Sequence, residues 1–360
     1  GGTPADTSLY HSFARFDVGT GDIAQFQTLT LIPNTAMLNI LGRITDANPS
    51  AIFGSIDSAT YYPSANLFLM NPHGFLFGSG AMVNVGGMLS VTTADYLKLG
   101  SGIVRFEAIP GAQDALLSAS PVTAFGFLGL NPPAAIAVQG SHLTMASGTG
   151  LSLIGGSQGF TYIDPDTGNQ ASVPVPDGVT VTGGTLSAPD GEINLVSVAS
   201  RGEVSAVDFM RSPGMTMGSI ALSQGANLDV SGDGGGIIRI RGGQLTMDNA
   251  TLVADALVGT VEPATGISVD IQGDITLSHQ SKMHTTTHGD GFGGDIEISA
   301  ANLQISEGSA LDTASFGAGK AGDIRLAISG DVSLMRAGDI GISGRIGSDS
   351  RGSGSGGSIT

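Results

Sequence analysis

Short runs of alternating apolar and polar residues, separated by glycine-rich segments, dominate the second half of the chain. The run Gly294-Asp295-Ile296-Glu297-Ile298 is repeated as Gly322-Asp323-Ile324-Arg325-Leu326, 28 residues further on, and two more alternating runs centred on Gln304 and Asp312 lie between them. Successive side chains of a β-strand point to opposite faces, so each run predicts a strand with one apolar face. One repeat therefore predicts three strands and three turns.

Looser copies of the first strand fix how the repeats are arranged. They begin at Ile193, Ile220, Ile238, Val269 and Ile359. The steps range from 18 to 35 residues, which predicts turns of variable length between strands of constant length. One coil cannot bury its apolar stripe alone, whereas coils stacked about 4.8 Å apart pair their backbones and close a continuous core. We predict an all-β fold, a right-handed parallel β-helix with three-strand coils; a helical repeat is disfavoured by the polar and glycine residues at every strand end, and a sandwich or barrel is the alternative.

The first half is equally rich in strands but less periodic. Alternation over residues 13–18 and the apolar runs 67–70 and 75–77 predict strands. Asn71-Pro72-His73-Gly74 has the composition of a turn, which is either a hairpin or a corner between two faces. Residues 160–190, rich in Pro and Asp, predict a hairpin or loop excursion out of the coils.

Several blocks resemble the haemagglutination-activity domain of filamentous-haemagglutinin-like exoproteins. They keep their order and spacing over residues 8–95, and weaker blocks follow at 120–155 and 183–198; the three strongest are Ser12–Gly21, Ile44–Gly54 and Ala65–Gly87. The resemblance implies two-partner secretion. In that family an outer-membrane β-barrel transporter of the Omp85 type recognises the N-terminal domain through periplasmic receptor domains. The domain then nucleates folding of the long exoprotein outside the cell.

The same resemblance sets the expected domain organisation and location. It implies a secretion domain at residues 1–200, with continuing coils of about 18–35 residues at 201–360. It also implies a secreted or cell-surface adhesin of a Gram-negative bacterium. The chain opens at Gly1-Gly2-Thr3-Pro4 without a basic-then-apolar leader, so we expect a truncated chain whose signal peptide, first strands and C-terminal part lie outside it.

Candidate recognition residues follow from one motif. The family's Asn-Pro-Asn-Gly motif falls on Asn71, Pro72, His73 and Gly74, with His in place of the second Asn, and Asn84 lies in the same matching block. The resemblance makes these five residues candidates for contact with the transporter. A purely structural interpretation stays open, because Asn caps turns, Pro fixes φ and Gly supplies a positive φ. A second family motif, Asn-Pro-Asn-Leu, is absent.

The histidines His279, His284 and His288 with Asp290 form the one cluster that suggests a metal site. Four residues along a strand span about 13 Å, too far for one ion unless the chain turns. The threonines at 285–287 instead suggest an outward polar strand that runs into a glycine turn. We expect no metal and no cofactor.

Composition narrows the classes of partner. Only 12% of residues are charged and the net charge is −17, so the chain lacks the clustered basic residues that nucleic acid requires. There is no cysteine, which excludes disulfides and thiolate chemistry. A host or substratum surface remains a further partner that the resemblance allows.

Parallel β-helices also host polysaccharide lyases, whose sites need carboxylates stacked on one face. Asp229, Asp233 and Asp270 are instead scattered through strand ends and turns, so we predict that the chain is not an enzyme. A passive adhesin or carbohydrate-binding solenoid is the alternative function. Its sugar-stacking face is disfavoured by the absence of Trp and by the 5% aromatic content.

Overall fold

Residues 2–29, 32–129, 131–262, 264–336 and 343–360 are described by the structure, a computed structural model. Strands make up nearly all of the regular structure in these ranges, together with one 3₁₀ helix, Ala112–Leu116. The chain divides into two compact units. The first is formed by Gly1–Ala146, Leu151–Thr180 and Leu195–Ser219, and the second by Ser147–Gly150, Val181–Asn194 and Ile220–Thr360.

The strands in chain order are β1 Thr3–Ala5, β2 Ser8–Phe13, β3 Ile23–Gln25, β4 Asn39–Ile44, β5 Ser50–Ile52, β6 Ser55–Asp57, β7 Asn66–Met70, β8 Phe75–Phe77, β9 Met82–Asn84, β10 Leu89–Thr92, β11 Tyr96–Leu99, β12 Arg105–Glu107, β13 Val122–Phe127, β14 Ile136–Gln139, β15 His142–Thr144, β16 Gly150–Gly156, β17 Val179–Thr182 and β18 Thr185–Ser187. They continue as β19 Glu192–Val198, β20 Gly202–Ser205, β21 Ser219–Ser223, β22 Asn227–Asp229, β23 Ile237–Gly242, β24 Gln244–Asp248, β25 Thr251–Val253, β26 Thr265–Ile271, β27 Asp274–Ser278, β28 Lys282–Thr287, β29 Asp295–Ala300, β30 Asn302–Ile305, β31 Ala310–Ser315, β32 Ile324–Ile328, β33 Val332–Leu334 and β34 Arg345–Ser350.

In the second unit the repeat forms three parallel sheets, one for each strand of a coil. In the first sheet Ile238, Ile267, Ile296 and Ile324 are successive register partners, and all four are fully buried. The other two sheets hold matching buried rows, one from Leu245 to Leu303 and the other from Leu186 to Leu311. The predicted parallel β-helix of three-strand coils is confirmed.

One of the predicted repeat starts lies on a different sheet. Ile220 belongs to β21, in the same sheet as β24 and β27, whereas Ile193 and Ile238 belong to the sheet of β19 and β23. The 18-residue step from Ile220 to Ile238 therefore joins two faces of the molecule rather than two coils. Three alternating strands in one coil share the same pattern, so periodicity alone could not tell these faces apart.

Hydroxyl side chains line the inside of one corner. Oγ1 of Thr285 donates to the carbonyl of Gly294 at 2.5 Å, and Oγ1 of Thr313 donates to that of Gly322 at 2.6 Å. Ser315 donates in the same way to Gly319, at 2.5 Å. These hydroxyls satisfy carbonyl groups of glycine-rich turns that run close over the coil below.

The prediction that the threonines at 285–287 all face outward is therefore wrong in part. Thr285 and Thr287 point inward and are buried, whereas Thr286 and His284 lie on the outer side of the same strand, β28. A threonine on a strand can face either way, and here the glycine carbonyls provide the interior acceptors that decide the direction.

In the first unit the coils also present three parallel sheets. Sheet A contains β2, β4, β7, β10 and β16, and its inward row runs from Leu9 through Ile40 and Leu67. Sheet B contains β5, β8 and β14, and sheet C contains β3, β6 and β9. The strand predicted over residues 13–18 is not continuous, because β2 ends at Phe13 and only Val18 forms a further bridge.

Two excursions leave the coils of this unit. One is the predicted hairpin, in which Phe160 pairs with Val175 and Ile163 with Gln170. The other is an antiparallel sheet of four strands, in the order β12-β11-β13-β20, which the sequence did not predict. It packs against sheet A through a buried apolar cluster that includes Phe106.

Candidate functional site

The segment Asn71–Gly74 forms the corner between sheets A and B. Asn71 follows β7 and is fully buried; its Nδ2 donates to the carbonyl of Asn48 at 2.9 Å and to Oγ of Ser50 at 3.0 Å. Its Oδ1 accepts the backbone N–H of His73 at 3.0 Å. Of the two turns that the sequence allowed, the structure has the corner, and Asn71 holds it from inside.

Gly74 meets two separate requirements at this corner. Its φ is +114°, a conformation that side chains rarely adopt. A Cβ at this position would also overlap the ring of Phe160, which belongs to the excursion hairpin. The hairpin therefore lies directly over the corner, and glycine is needed both for the bend and for the close approach.

The remaining motif residues face outward. His73 is exposed and Pro72 is half-buried. Together with Asp95 and the loop Asn131–Pro133 they line a groove of about 480 Å³. The structure thus brings the Asn-Pro-His-Gly corner next to the Asn-Pro-Pro segment, although the two are 60 residues apart in the sequence.

Asn84, the fifth candidate, lies at the end of β9 in sheet C, away from the residues that line this groove. Its Nδ2 donates to Oδ1 of Asp57 at 2.9 Å, and Gln25 donates to Oδ2 of the same carboxylate at 2.6 Å. Burial raises the pKa of Asp57, but the hydrogen bonds from Gln25, Thr60 and Asn84 outweigh it and hold that pKa below its usual value of 3.8. Register explains this row, because Gln25, Asp57 and Asn84 are successive partners in the sheet.

The histidine cluster is dispersed in the structure. His279 pairs with Asp248 at 2.6 Å and with Glu307 at 3.2 Å, whereas His284 pairs with Asp255 at 3.3 Å. His288 stacks on Phe316 with ring centroids 5.3 Å apart. Within the described ranges no group of three or more His, Asp or Glu side chains has the geometry of a metal site.

Two polar contacts that anchor the four-stranded sheet could not be predicted from the sequence. Arg43, a buried residue of β4, forms a bidentate ion pair with Asp114 of the 3₁₀ helix, at 2.7 and 2.8 Å. Tyr96 donates to Glu203 at 2.6 Å, and burial together with this carboxylate raises the pKa of Tyr96 to about 12. Each pair joins residues more than 70 positions apart, so no local pattern marks them.

The TPS secretion domain model matches residues 1–240, two thirds of the chain. The chain belongs to this family. Among solved structures, this TPS secretion domain is similar to the HMW1 secretion domain from Haemophilus influenzae, at 14% identity and a TM-score of 0.44, with 93% of this chain and 97% of that chain covered. None of the curated proteins compared with it matches.

Membership in the TPS secretion domain family confirms the function expected from the motif blocks. The chain is the N-terminal secretion domain of a two-partner secretion exoprotein, and its cognate partner is an outer-membrane transporter. Export through the outer membrane takes it to the cell surface or the extracellular space. In the described part of this TPS secretion domain, no helix is long and apolar enough to cross a bilayer.

Proposed function

We propose that the transporter that recognises this chain is of the Omp85 type and binds it through periplasmic receptor domains. We further propose that Asn71, Pro72, His73, Gly74 and Asn84 form the recognition determinants, with two distinct roles. The exposed residues His73 and Asn84 contact the transporter, while the other three hold the corner in shape. The exposure of His73 beside the fully buried Asn71 supports this division.

The chain also nucleates folding of the exoprotein, and it acts by binding and folding rather than by catalysis. The inward row of isoleucines supports the nucleation role, because each coil contacts its own residues and those of the next coil. Coils of this kind can be added one at a time as chain becomes available. We place the end of the secretion domain at residue 200, with continuing coils over 201–360.

Export of the full chain tests the proposal. The chain, fused to an added signal peptide, is produced in a Gram-negative host with or without the cognate transporter, and the protein in the medium is compared with that in the periplasm. We expect it in the medium only when the transporter is present. His73→Ala should reduce export while the melting temperature stays unchanged. Asn84→Ala should reduce export with only a small fall in melting temperature, from the lost bond to Asp57, whereas Asn71→Ala should lower the melting temperature more strongly. Export without any transporter would refute the proposal.

A further inference from the structure

Two of the three sheets in the first unit are covered on their outer side by other parts of the chain. The outward side chains of sheet A, including Phe68 and Met70, are buried in a cluster with Phe106 of the four-stranded sheet. On sheet B, Leu76 and Ala137 are buried together with Val175 of the hairpin, against which Phe160 packs. Because sheets A and B are buried on both faces, successive residues of their strands are apolar instead of alternating between apolar and polar.

Sheet C is different, because large apolar side chains on its outer side are exposed. Its register aligns Ile23, Ser55 and Met82 in one row. The side chain of Ile23 is 64% exposed and that of Met82 is 57% exposed, although both belong to regular strands. Isolated apolar residues on a surface are ordinary, but here two exposed apolar side chains lie in one row on either side of Ser55.

The next outward row of sheet C is polar and is already aligned. Gln25 and Asn84 both donate to the carboxylate of Asp57, and Thr60 donates to it at 2.7 Å. This network fixes the positions of the side chains before any partner arrives, so little conformational entropy is lost on binding. The row also holds a negative charge at the centre of the sheet, beside the apolar row.

We infer that the outward face of sheet C is the surface on which the periplasmic part of the transporter docks. The inference rests on the proposed function. Apolar side chains of the transporter pack on Ile23 and Met82, and a polar group of the transporter faces the exposed Asn84, which the buried Asp57 holds in place. A partner with basic character also complements the chain's net charge of −17.

The choice of occupant follows from three observations. Family membership gives the chain an outer-membrane transporter as its cognate partner. Sheets A and B are occupied by the chain's own excursions, whereas sheet C presents exposed apolar and hydrogen-bonding side chains side by side. Apolar groups flanked by oriented polar groups are the composition of protein-binding patches.

Binding of the full chain to the cognate transporter, purified in detergent, tests the inference. The double variant Ile23→Lys/Met82→Lys should weaken binding by about tenfold or more, since buried apolar contacts at the centre of an interface carry most of its affinity. The matched control is Val173→Lys/Val207→Lys, which changes two side chains that are 73% and 78% exposed and lie outside sheet C. The control should bind within about twofold of the unchanged chain.

Melting temperature and far-ultraviolet spectra of both double variants establish that they fold. Equal binding by the sheet C variant and the unchanged chain would overturn the inference, and so would a loss of self-association, measured by sedimentation, without a loss of transporter binding. If the unchanged chain fails to bind the transporter at all, the proposed function fails instead, so the two failures are distinguishable.

Discussion

Thr20 and Asp166 are 146 residues apart, yet Asp166 accepts two hydrogen bonds from Thr20, from the backbone N–H and from Oγ1, each at 2.7 Å. Asp166 lies at the tip of the excursion hairpin, and Thr20 lies in the first coil before β3. The contact therefore fastens the hairpin tip to an early coil. Tyr162 adds an edge-on aromatic contact to Phe53 behind it, with ring centroids 6.1 Å apart.

Substituting Asp166 with Ala should loosen the hairpin without unfolding the coils. Faster amide hydrogen exchange is expected at residues 160–175, with the melting temperature of the coils nearly unchanged. The hydrogen bonds from Thr20 hold the pKa of Asp166 below its usual value, so the docking is present at neutral pH and is lost as the pH falls through that lowered value. Asp331→Ala, at an exposed position outside the hairpin, is the control, and equal exchange in both variants would contradict the prediction.

The ion pair between Arg43 and Asp114 should contribute measurably to stability. Asp114→Ala leaves the buried guanidinium of Arg43 with its bonds to Ser12 and the carbonyl of Glu107 but without a counter-charge. A loss of about 2 kcal/mol in the free energy of unfolding is expected, at the low end for buried pairs because Asp114 is partly exposed. Urea unfolding measures it.

A second variant of that pair separates its charge from its packing. Arg43→Met with Asp114→Ala removes both charges and keeps an apolar chain beside Phe106, over which the guanidinium of Arg43 now lies at 4.8 Å. This double variant should be more stable than Asp114→Ala alone. Equal stability would show that the ion pair is not what the single substitution disrupts.

The inward hydroxyl of Thr285 should contribute more to the free energy of unfolding than the outward hydroxyl of Thr286. Thr285→Val removes the bond to the carbonyl of Gly294 at nearly constant volume, which should cost about 1–2 kcal/mol in the free energy of unfolding. Thr286→Val on the same strand, β28, faces outward and should change it by less than about 0.5 kcal/mol. Denaturant unfolding of the two variants gives the comparison directly, and a larger effect at Thr286 would be incompatible with the corner described here.

Alanine at Gly74 tests both requirements of the motif corner. Gly74→Ala adds backbone strain and a clash with Phe160, so the free energy of unfolding should fall by about 3 kcal/mol. Combining it with Phe160→Ala should relieve the clash but not the strain, which makes the two substitutions non-additive. Gly214, with φ +79° and open space around it, is a matched control that should cost only about 1 kcal/mol.

Acid should lower the stability of sheet C by protonating the carboxylate of Asp57. The folded-state pKa of this carboxyl lies below 3.8, so its contribution to stability is complete above that pH and is lost as the pH falls through the lowered value. Asn84→Ala removes one of the bonds that lower it, and the acid unfolding midpoint should therefore rise. A circular-dichroism titration measures both midpoints, and an unchanged midpoint would show that Asn84 does not stabilise the ionised form.

The coils could be predicted from the sequence, and the excursion sheet could not. Ile296 and Ile324 share a local pattern that repeats with the coil, so their stacking follows from periodicity. The pairing of Phe125 with Val204 in the four-stranded sheet depends on two segments 79 residues apart. Their alternation fits a coil strand equally well, and only the packing of Phe106 and Phe125 on sheet A distinguishes them.

The candidate site could also be predicted from the sequence only in part. The turn at Asn71–Gly74 follows from its residue types, whereas its cover by Phe160 required the three-dimensional path of the hairpin. Asn84 could be selected from the resemblance alone. Its bond to Asp57 is set by strand register, which varies with the uneven turn lengths and is not visible in the sequence.

The glycine-bonded hydroxyls keep their sequence offsets even where the coil length changes. Oγ1 of Thr285 donates to the carbonyl of Gly294, and Oγ1 of Thr313 donates to that of Gly322, nine positions on in each case. At the same offset, Oγ of Ser348 accepts the backbone N–H of Gly357. Residues of β33 lie 29 positions after their register partners in the preceding coil, whereas residues of β34 lie 35 positions after theirs. Six added residues therefore fall between β33 and β34. A coil can therefore lengthen between two of its strands while the contact between hydroxyl and glycine keeps its nine-residue offset in the next strand.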